Sequence, residues 1–208
     1  MSYDSTQDTK KHINQVIVEG VKFTSKLRSL YASSLNKSLL DMIDRFIVVL
    51  QGQLAKHDHS KLINPEKSGF DVYTPMLAKM EYGSDEYKKC LEMLKPTLDH
   101  HYKSNSHHPE HFANGIAGMN LYDLIEMFCD WQAAVKRNKN GDIKKSIDLN
   151  EKRFNMDKLL ADMFRNTVDG NDELPTLWTL VKIFIGGDED NNFKLPKQIK
   201  GILMNTTI

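Results

Sequence analysis

Apolar residues recur every three to four positions along most of the chain, and this spacing limits the fold to packed amphipathic helices. The first clear stripe runs from Ile13 to Leu27, and a second runs from Leu39 to Leu54. The same period predicts further helices at about residues 84–95, 120–137, 143–150, 156–166 and 177–185, followed by a short C-terminal helix. The sequence shows no alternating strand pattern and no internal repeat, so the predicted class is all-α.

Prolines, glycines and polar clusters mark the predicted breaks between helices. Pro96 is expected to kink or restart a helix because proline has no N–H to donate. Asn64-Pro65 and Ser68-Gly69 predict a loop, residues 138–141 a turn, and residues 186–192 an acidic loop. We divide the chain into a helical domain at 1–140 and a C-terminal helical extension at 141–208, packed on the same domain.

Composition excludes several functional classes. The chain has 208 residues, 28 basic and 28 acidic side chains, and a formal net charge of zero, which argues against a broad duplex nucleic-acid footprint. Its two cysteines are far apart, so a thiolate zinc knuckle is not expected. The polar N-terminus resembles no signal peptide, and no apolar run approaches the roughly 20 residues that span a bilayer. We expect a cytoplasmic protein without a membrane partner.

Histidines are concentrated in two segments. The chain has eight, and all except His12 lie within residues 57–59 and 100–111. Imidazole beside carboxylate, as in His57-Asp58, is a donor set that suits divalent transition metals, whereas magnesium and calcium sites use mostly oxygen. The sequence therefore predicts a site for one or two divalent ions (Mn, Fe, Co, Ni, Zn or Mg).

The order His12, His57-Asp58, Asp130 resembles the ligand pattern of HD-domain metal-dependent phosphohydrolases. Residues 57–61 read His-Asp-His-Ser-Lys, which is similar to the His-Asp-x-x-Lys motif of many such enzymes. Residues 107–110 read His-His-Pro-Glu, which is similar to the block that supplies ligands to a second metal in binuclear members. The Gly-Tyr-Pro element of the cyclic-dinucleotide phosphodiesterases is absent. The resemblance implies an HD-like helical bundle with additional C-terminal helices.

The whole chain also resembles an uncharacterised family of phage and bacterial proteins. The shared motifs are His-Asp-x-Ser-Lys at 57–61, His-His-Pro-Glu-His at 107–111, and Glu-Met-x-Cys-Asp-Trp at 126–131. This second resemblance extends over nearly the full length and implies no substrate.

The HD resemblance implies roles for individual residues. Asp58 would bridge two metals, with one of His100 or His101 and one of His107 or His108 on the second ion. The metal ligands assigned are His12, His57, Asp58, His101, His107 and Asp130. The catalytic residues assigned are Asp58, Lys61 and His108. Substrate-binding residues would be Lys61, His100 and Arg153. Carboxylates expected to orient the imidazoles are Glu66, Glu110 and Glu126.

The function expected from this resemblance is hydrolysis of a nucleotide or another small phosphoester by a metal-activated water. One alternative is a di-iron oxygenase, because HD scaffolds with nearly the same ligands host that chemistry. Another is a non-catalytic phage protein that binds a host nucleotide or a host protein. The expected partner is a small phosphorylated substrate, and a homodimer is compatible with the sequence.

Overall fold

The protein is all-α in the part described by the computed structural model, residues 3–81, 84–137, 140–171, 173–186 and 195–207. These residues contain no strand, which confirms the predicted class. The α-helices are α1 (Thr6–Leu30), α2 (Lys37–Leu54), α3 (Glu66–Leu77), α4 (Asp85–Ser104), α5 (Leu121–Lys136), α6 (Ile143–Arg153), α7 (Lys158–Asp169), α8 (Leu177–Phe184) and α9 (Lys197–Met204). Short 3₁₀ helices span His59–Leu62, Pro109–His111 and Gly115–Gly118.

Helix α5 is the central element of the fold. Its residues are buried almost without interruption from Leu121 to Cys129, and α1, α2, α6 and α8 all pack against it. The Phe46 ring of α2 stacks on Tyr122 with their centroids 4.7 Å apart. A helix surrounded in this way has no solvent-facing side over its first half, so polar residues placed there need partners inside the protein.

The C-terminal helices share the core of the N-terminal ones. Phe164 of α7 lies 5.0 Å from Phe128 and 5.5 Å from Trp131, measured between ring centroids. Leu160 and Ile199 are fully buried in the same apolar cluster. This packing fills the side of α5 that faces away from the histidines, while the domain boundary at residue 140 stays a prediction.

The sequence predicted a kink or a restart at Pro96, and helix α4 runs through this proline without a restart. The buried residues Cys90, Leu94 and His101 lie on both sides of the proline, four and seven positions apart. They therefore occupy one face of the helix, and packing along that face offsets the lost hydrogen bond. Because the helix is continuous, His101 lies in the protein interior near the C-terminal end of α4.

Helix α3 replaces most of the loop predicted around residues 64–69. It begins at Glu66, directly after Pro65, and includes Gly69. A Cβ on Gly69 would lie 2.0 Å from Oγ1 of Thr97 on α4. Gly69 therefore marks a close approach of two helices instead of a turn. The consequence for the site is that Glu66 enters the interior from the first turn of a helix.

Two of the predicted connections lie at least partly outside the described residues. Residues 138–139 of the predicted turn and residues 187–192 of the predicted acidic loop belong to this group. Among the helices that are described, none combines the length and the apolar character required to cross a membrane.

Candidate metal centre

The carboxylate of Asp58 lies at the centre of a buried cluster of histidines. Its Oδ2 atom is 3.5 Å from Nε2 of His57 and 3.8 Å from Nε2 of His12. Its Oδ1 atom is 3.3 Å from Nε2 of His101 and 3.6 Å from Nε2 of His107. All five residues are buried. Each imidazole thus presents the same ring nitrogen to one shared carboxylate.

Among the described residues, three groups of side chains are close enough to hold a metal ion: one is His57, His107 and Glu126, and the other two share Asp58. In the two that share Asp58, the ligand atoms face the centre of the cluster. The first of these two groups contains His12, His57 and Asp58. The second contains Asp58, His101, His107 and His108. Within each group the candidate ligand atoms lie within 4.8 Å of one another. A carboxylate shared by two such groups is able to bridge two ions.

Asp130 completes the first group from α5. Its Oδ1 atom is 2.8 Å from Nε2 of His12 and 3.8 Å from Nε2 of His57. His12 comes from the second turn of α1, and His57 follows the end of α2. The structure therefore brings together the three separated chain positions of the His12, His57-Asp58, Asp130 pattern.

Two buried glutamates hold the other ring nitrogens. Oε1 of Glu126 is 2.8 Å from Nδ1 of His57 and 3.3 Å from Nδ1 of His107. Oε2 of Glu66 is 2.8 Å from Nδ1 of His101. An ionised carboxylate can only accept, so each Nδ1 donates its hydrogen and leaves the Nε2 lone pair free. Carboxylates in this position orient metal-binding histidines and raise their basicity.

The Nε2 atoms of two of these imidazoles have no hydrogen-bond partner among the described residues, whereas Nε2 of His101 lies 2.9 Å from Nε2 of His108. Nε2 of His57, Nε2 of His107 and Oδ1 of Asp58 are buried and form no hydrogen bond with any described residue. Buried polar atoms in folded proteins nearly always have a partner. One ion in each of the two groups would give all three atoms a partner, so the residues present fit a metal. Their nitrogen-rich donor set suits Mn, Fe, Co, Ni or Zn better than Mg.

The carboxylates of the cluster are ionised. Burial tends to raise the pKa of Asp58, but the charges of Lys61 and His57 outweigh it and hold this pKa well below its usual range. Burial also tends to raise the pKa of Glu126, whereas hydrogen bonds from His107 and His57 lower it to about 2. Both carboxyl groups are therefore anionic at neutral pH, which is the form that binds or supports a cation.

The imidazoles differ in their affinity for protons. Burial, reinforced by the neighbouring His107, lowers the pKa of His108 to about 2, and burial also lowers the pKa of His101. Burial acts in the same direction on His57 and is the largest single effect, but the charge of Asp58, the hydrogen bond to Glu126 and the charge of Asp130 together outweigh it and raise the pKa of His57. His101 and His108 are thus neutral and ready to coordinate, while His57 would release a proton when an ion binds.

His107 and His108 belong to the same group although they are adjacent in sequence. Adjacent residues on a helix point about 100° apart, which led us to assign the ligand role to only one of them. They lie in the loop after α4, where this restriction does not apply, and their ring centroids are 4.1 Å apart. On α4 the restriction holds, because His101 is buried while the His100 side chain is 45% exposed. Nδ1 of His100 lies 2.8 Å from Oε1 of Glu66.

Lys61 lies at the edge of the cluster. It belongs to the 3₁₀ helix His59–Leu62, because α2 ends at Leu54. Its Nζ atom donates to Oδ2 of Asp58 at 2.6 Å. Burial tends to lower the pKa of Lys61, but the nearby carboxylates, Asp58 first among them, together outweigh burial and raise this pKa, which keeps the side chain cationic.

Glu110 and Arg153 lie outside the cluster. Glu110 was expected to orient an imidazole, but it accepts a hydrogen bond from Nη2 of Arg153 at 2.6 Å. The Arg153 side chain is 54% exposed and also covers the ring of Phe154. This pair is a surface salt bridge between the Pro109–His111 turn and the end of α6, so the phosphate contact expected of Arg153 has no support in its position.

Sequence reasoning missed two polar side chains next to Glu126, those of Gln53 and Asp123. Nε2 of Gln53 donates to Oδ1 of Asp123 at 2.8 Å and to Oε2 of Glu126 at 2.7 Å. The signal was present in the spacing: Asp123, Glu126 and Asp130 are three and four positions apart and share one face of an otherwise apolar helix. Gln53 precedes His57 by four residues near the end of α2.

A cavity of about 160 Å³ lies beside the cluster and shares His12 and Lys61 with it. Tyr3, Phe70 and Arg137 form other parts of its wall. Arg137 was not singled out from the sequence. It follows Asp130 by seven positions, about two helical turns, so its place on the same side of α5 could have been noticed.

Comparisons with known proteins identify a family but no activity. No curated protein and no solved structure matches the chain. A family model described as "Family of unknown function (DUF5662)" matches residues 1–170, which include all the side chains of the cluster. The chain therefore belongs to this family of unknown function.

Proposed function

We propose that this protein is a metal-dependent phosphohydrolase that acts on a small phosphoester. The observation that carries the proposal is the set of buried, unpartnered ligand atoms around Asp58, with Nδ1 of His57 and His101 already fixed by glutamates. Such an arrangement is organised for a cation and has no evident structural purpose without one.

The residues of the two groups would hold one ion each. His12, His57 and Asp130 would bind the first, a set of three imidazoles (His101, His107 and His108) the second, and Asp58 both. Divalent ions in such a pair supply an activated water and stabilise the attacking and leaving oxygens of phosphoryl transfer. In the overall reaction, water adds to phosphorus, the P–O bond to the alcohol breaks, and the alcohol leaves with a proton.

Lys61 supports a phosphorylated substrate over a neutral one. Its ammonium group is held 2.6 Å from Asp58 and lines the neighbouring cavity. A permanently charged donor in this position attracts an anionic ester and stabilises negative charge that develops on its oxygens. The resemblance of residues 57–61 to the motif of the HD phosphohydrolases points in the same direction.

One observation favours a second candidate, a di-iron oxygenase. Imidazoles outnumber carboxylates among the candidate ligands, and iron accepts such a mixed set readily. The two proposals differ in their consequences. A hydrolase releases phosphate without oxygen, whereas an oxygenase consumes oxygen and is purified with iron.

The decisive experiment combines elemental analysis of the protein as isolated with a phosphatase screen supplemented with Mn, Co, Ni, Zn or Fe. We expect one or two bound ions per chain and phosphate release that is lost in Asp58→Asn. The matched control is Asp41→Asn, an exposed aspartate of α2, which should retain both. Release of phosphate with no metal dependence, or silence with every metal, contradicts the proposal. Oxygen uptake would support the oxygenase, and recovery of an unchanged bound ligand would indicate a non-catalytic binding protein.

A further inference from the structure

The cavity beside the cluster is small. Its volume is about 160 Å³. Pockets that enclose a drug-sized ligand are roughly 300–1,000 Å³. A phosphate and a short carbon chain fill a space of this size, whereas a nucleoside attached to the phosphate would extend outside it.

The cavity has a cation on each of two separate elements. Lys61 comes from the 3₁₀ helix after α2, and Arg137 is the residue that caps the end of α5. Within the described part of the chain Arg137 makes no ion pair, whereas Arg28 pairs with Asp44 at 2.7 Å. A guanidinium group without a carboxylate partner is free to bind phosphate oxygens through two parallel hydrogen bonds.

The remaining wall combines hydroxyl groups with the aromatic rings of Tyr3 and Phe70. The Tyr3 hydroxyl donates to Oδ2 of Asp8 at 2.8 Å, and both line the cavity together with Thr9. Phe70 also lines the cavity, and Nζ of Lys61 lies 5.4 Å from its ring centroid. Hydroxyl and carboxylate groups next to two cations match a molecule that carries both a phosphate and hydroxyl groups.

From these observations we infer that Arg137 binds the phosphate group of the substrate, and that the cavity selects phosphomonoesters of small hydroxylated molecules over nucleotides. The inference rests on the proposed function and narrows its substrate class. Arg137 takes the phosphate-binding role that the sequence had suggested for Arg153. Phe70 limits the size of the group attached to the phosphate.

The first test measures the binding of inorganic phosphate by calorimetry to the Mn²⁺-loaded protein. We expect Arg137→Gln to weaken binding by about tenfold or more, the usual effect of losing a charged hydrogen bond. The matched control is Arg28→Gln, which also removes an arginine from a helix end but far from the cavity; it should bind phosphate as the unchanged protein does. Equal affinities in the unchanged protein and Arg137→Gln, or no phosphate binding at all, overturn the inference.

The second test measures kcat/KM for glycerol phosphate and for a nucleoside monophosphate. We expect the small ester to be preferred, and we expect Phe70→Ala to shift the ratio toward the nucleotide. A preference for the nucleotide in the unchanged protein overturns the size argument. The two proposals fail separately. If Arg137 is needed for phosphate binding but no ester is hydrolysed, the phosphate site is supported and the hydrolase is contradicted. If hydrolysis is the same in Arg137→Gln as in the unchanged protein, the hydrolase is supported and the phosphate site at Arg137 is contradicted.

Discussion

Asp58 adopts a left-handed backbone conformation, with φ at 55°. Non-glycine residues rarely occupy this region, although aspartate and asparagine tolerate it best, and the conformation costs about 1–2 kcal/mol. In a continuing helix His57 and Asp58 would point about 100° apart. The turn at Asp58 instead directs both side chains to one centre, with Nε2 of His57 3.5 Å from Oδ2 of Asp58. The local strain is thus linked to the convergence of two adjacent ligands.

Glu126 supports two of these ligands at once, and replacing it tests the role of the buried glutamates. We expect Glu126→Gln to lower metal affinity by about 10–100-fold, since His57 and His107 both lose an ionised acceptor. The measurement is a titration with Mn²⁺ or Zn²⁺, with circular dichroism as the check that the fold is retained.

The matched control is Glu92→Gln, because Glu92 is an exposed residue of α4 and contacts no histidine of the cluster. It should bind the metal as tightly as the unchanged protein. Metal affinity that is the same in both variants would mean that Glu126 has only a structural role.

Residue chemistry was enough to nominate most of the cluster. Neutral imidazole and carboxylate are metal ligands by their electronic nature, so His57-Asp58 and the His107-His108 pair could be recognised without a fold. Arg153 shows the limit of this reasoning. A guanidinium group suits phosphate and surface carboxylates equally well, and only its position next to Glu110 decides between them.

At the scale of the helix, the residue at which an element begins or ends matters more for the site than the length of that element. The apolar stripe of α2 predicted its range within two residues, whereas the boundary of α3 was missed because Pro65 and Gly69 indicated a loop. Both residues have other roles in the structure: Pro65 precedes the first helical turn, and Gly69 permits close packing on Thr97. Local sequence patterns do not distinguish a glycine needed for a turn from a glycine needed for helix contact.

The close contact between α3 and α4 leads to a prediction about stability. Gly69→Ala should destabilise the protein by about 1–3 kcal/mol, although alanine is the better helix former, because the new Cβ would overlap Thr97. Denaturant unfolding measures the change. Displacing α3 also moves Glu66 away from His101, so metal affinity should fall in the same variant.

Gly52→Ala in α2 is the matched control for this prediction. A Cβ at Gly52 would have no neighbouring atom within 4 Å, so the substitution should stabilise the protein by about 0.5–1 kcal/mol. Stabilisation of both variants would contradict the close contact between Gly69 of α3 and Thr97 of α4.

At the scale of the whole molecule, the candidate ligands extend from His12 to Asp130 and come from α1, α4, α5 and the segments between them. These groups are far apart in the unfolded chain, so an ion that bridges them binds the folded state selectively. Metal binding should therefore connect the N-terminal helix to the centre of the fold.

We accordingly expect metal to raise the thermal midpoint. A concentration 100 times the Kd adds about 2.7 kcal/mol of stability, or roughly 5–10 °C in Tm for a chain of this size. Calorimetry with and without Mn²⁺ or Zn²⁺ checks this, and a chelator should reverse the shift. Asp58→Asn should abolish the shift, and Asp41→Asn should preserve it. A metal shift of equal size in both variants would place the ion elsewhere.

The sequence alone determined the all-α class and the residue types of a metal site, because helical periodicity and ligand chemistry are local properties of the chain. Only the tertiary structure decided which imidazoles point inward, since that depends on how α4 and its following loop pack against α5. It also decided that Arg137 instead of Arg153 lines the cavity, and how large that cavity is. Such features arise from contacts between distant segments, which spacing along the chain does not record.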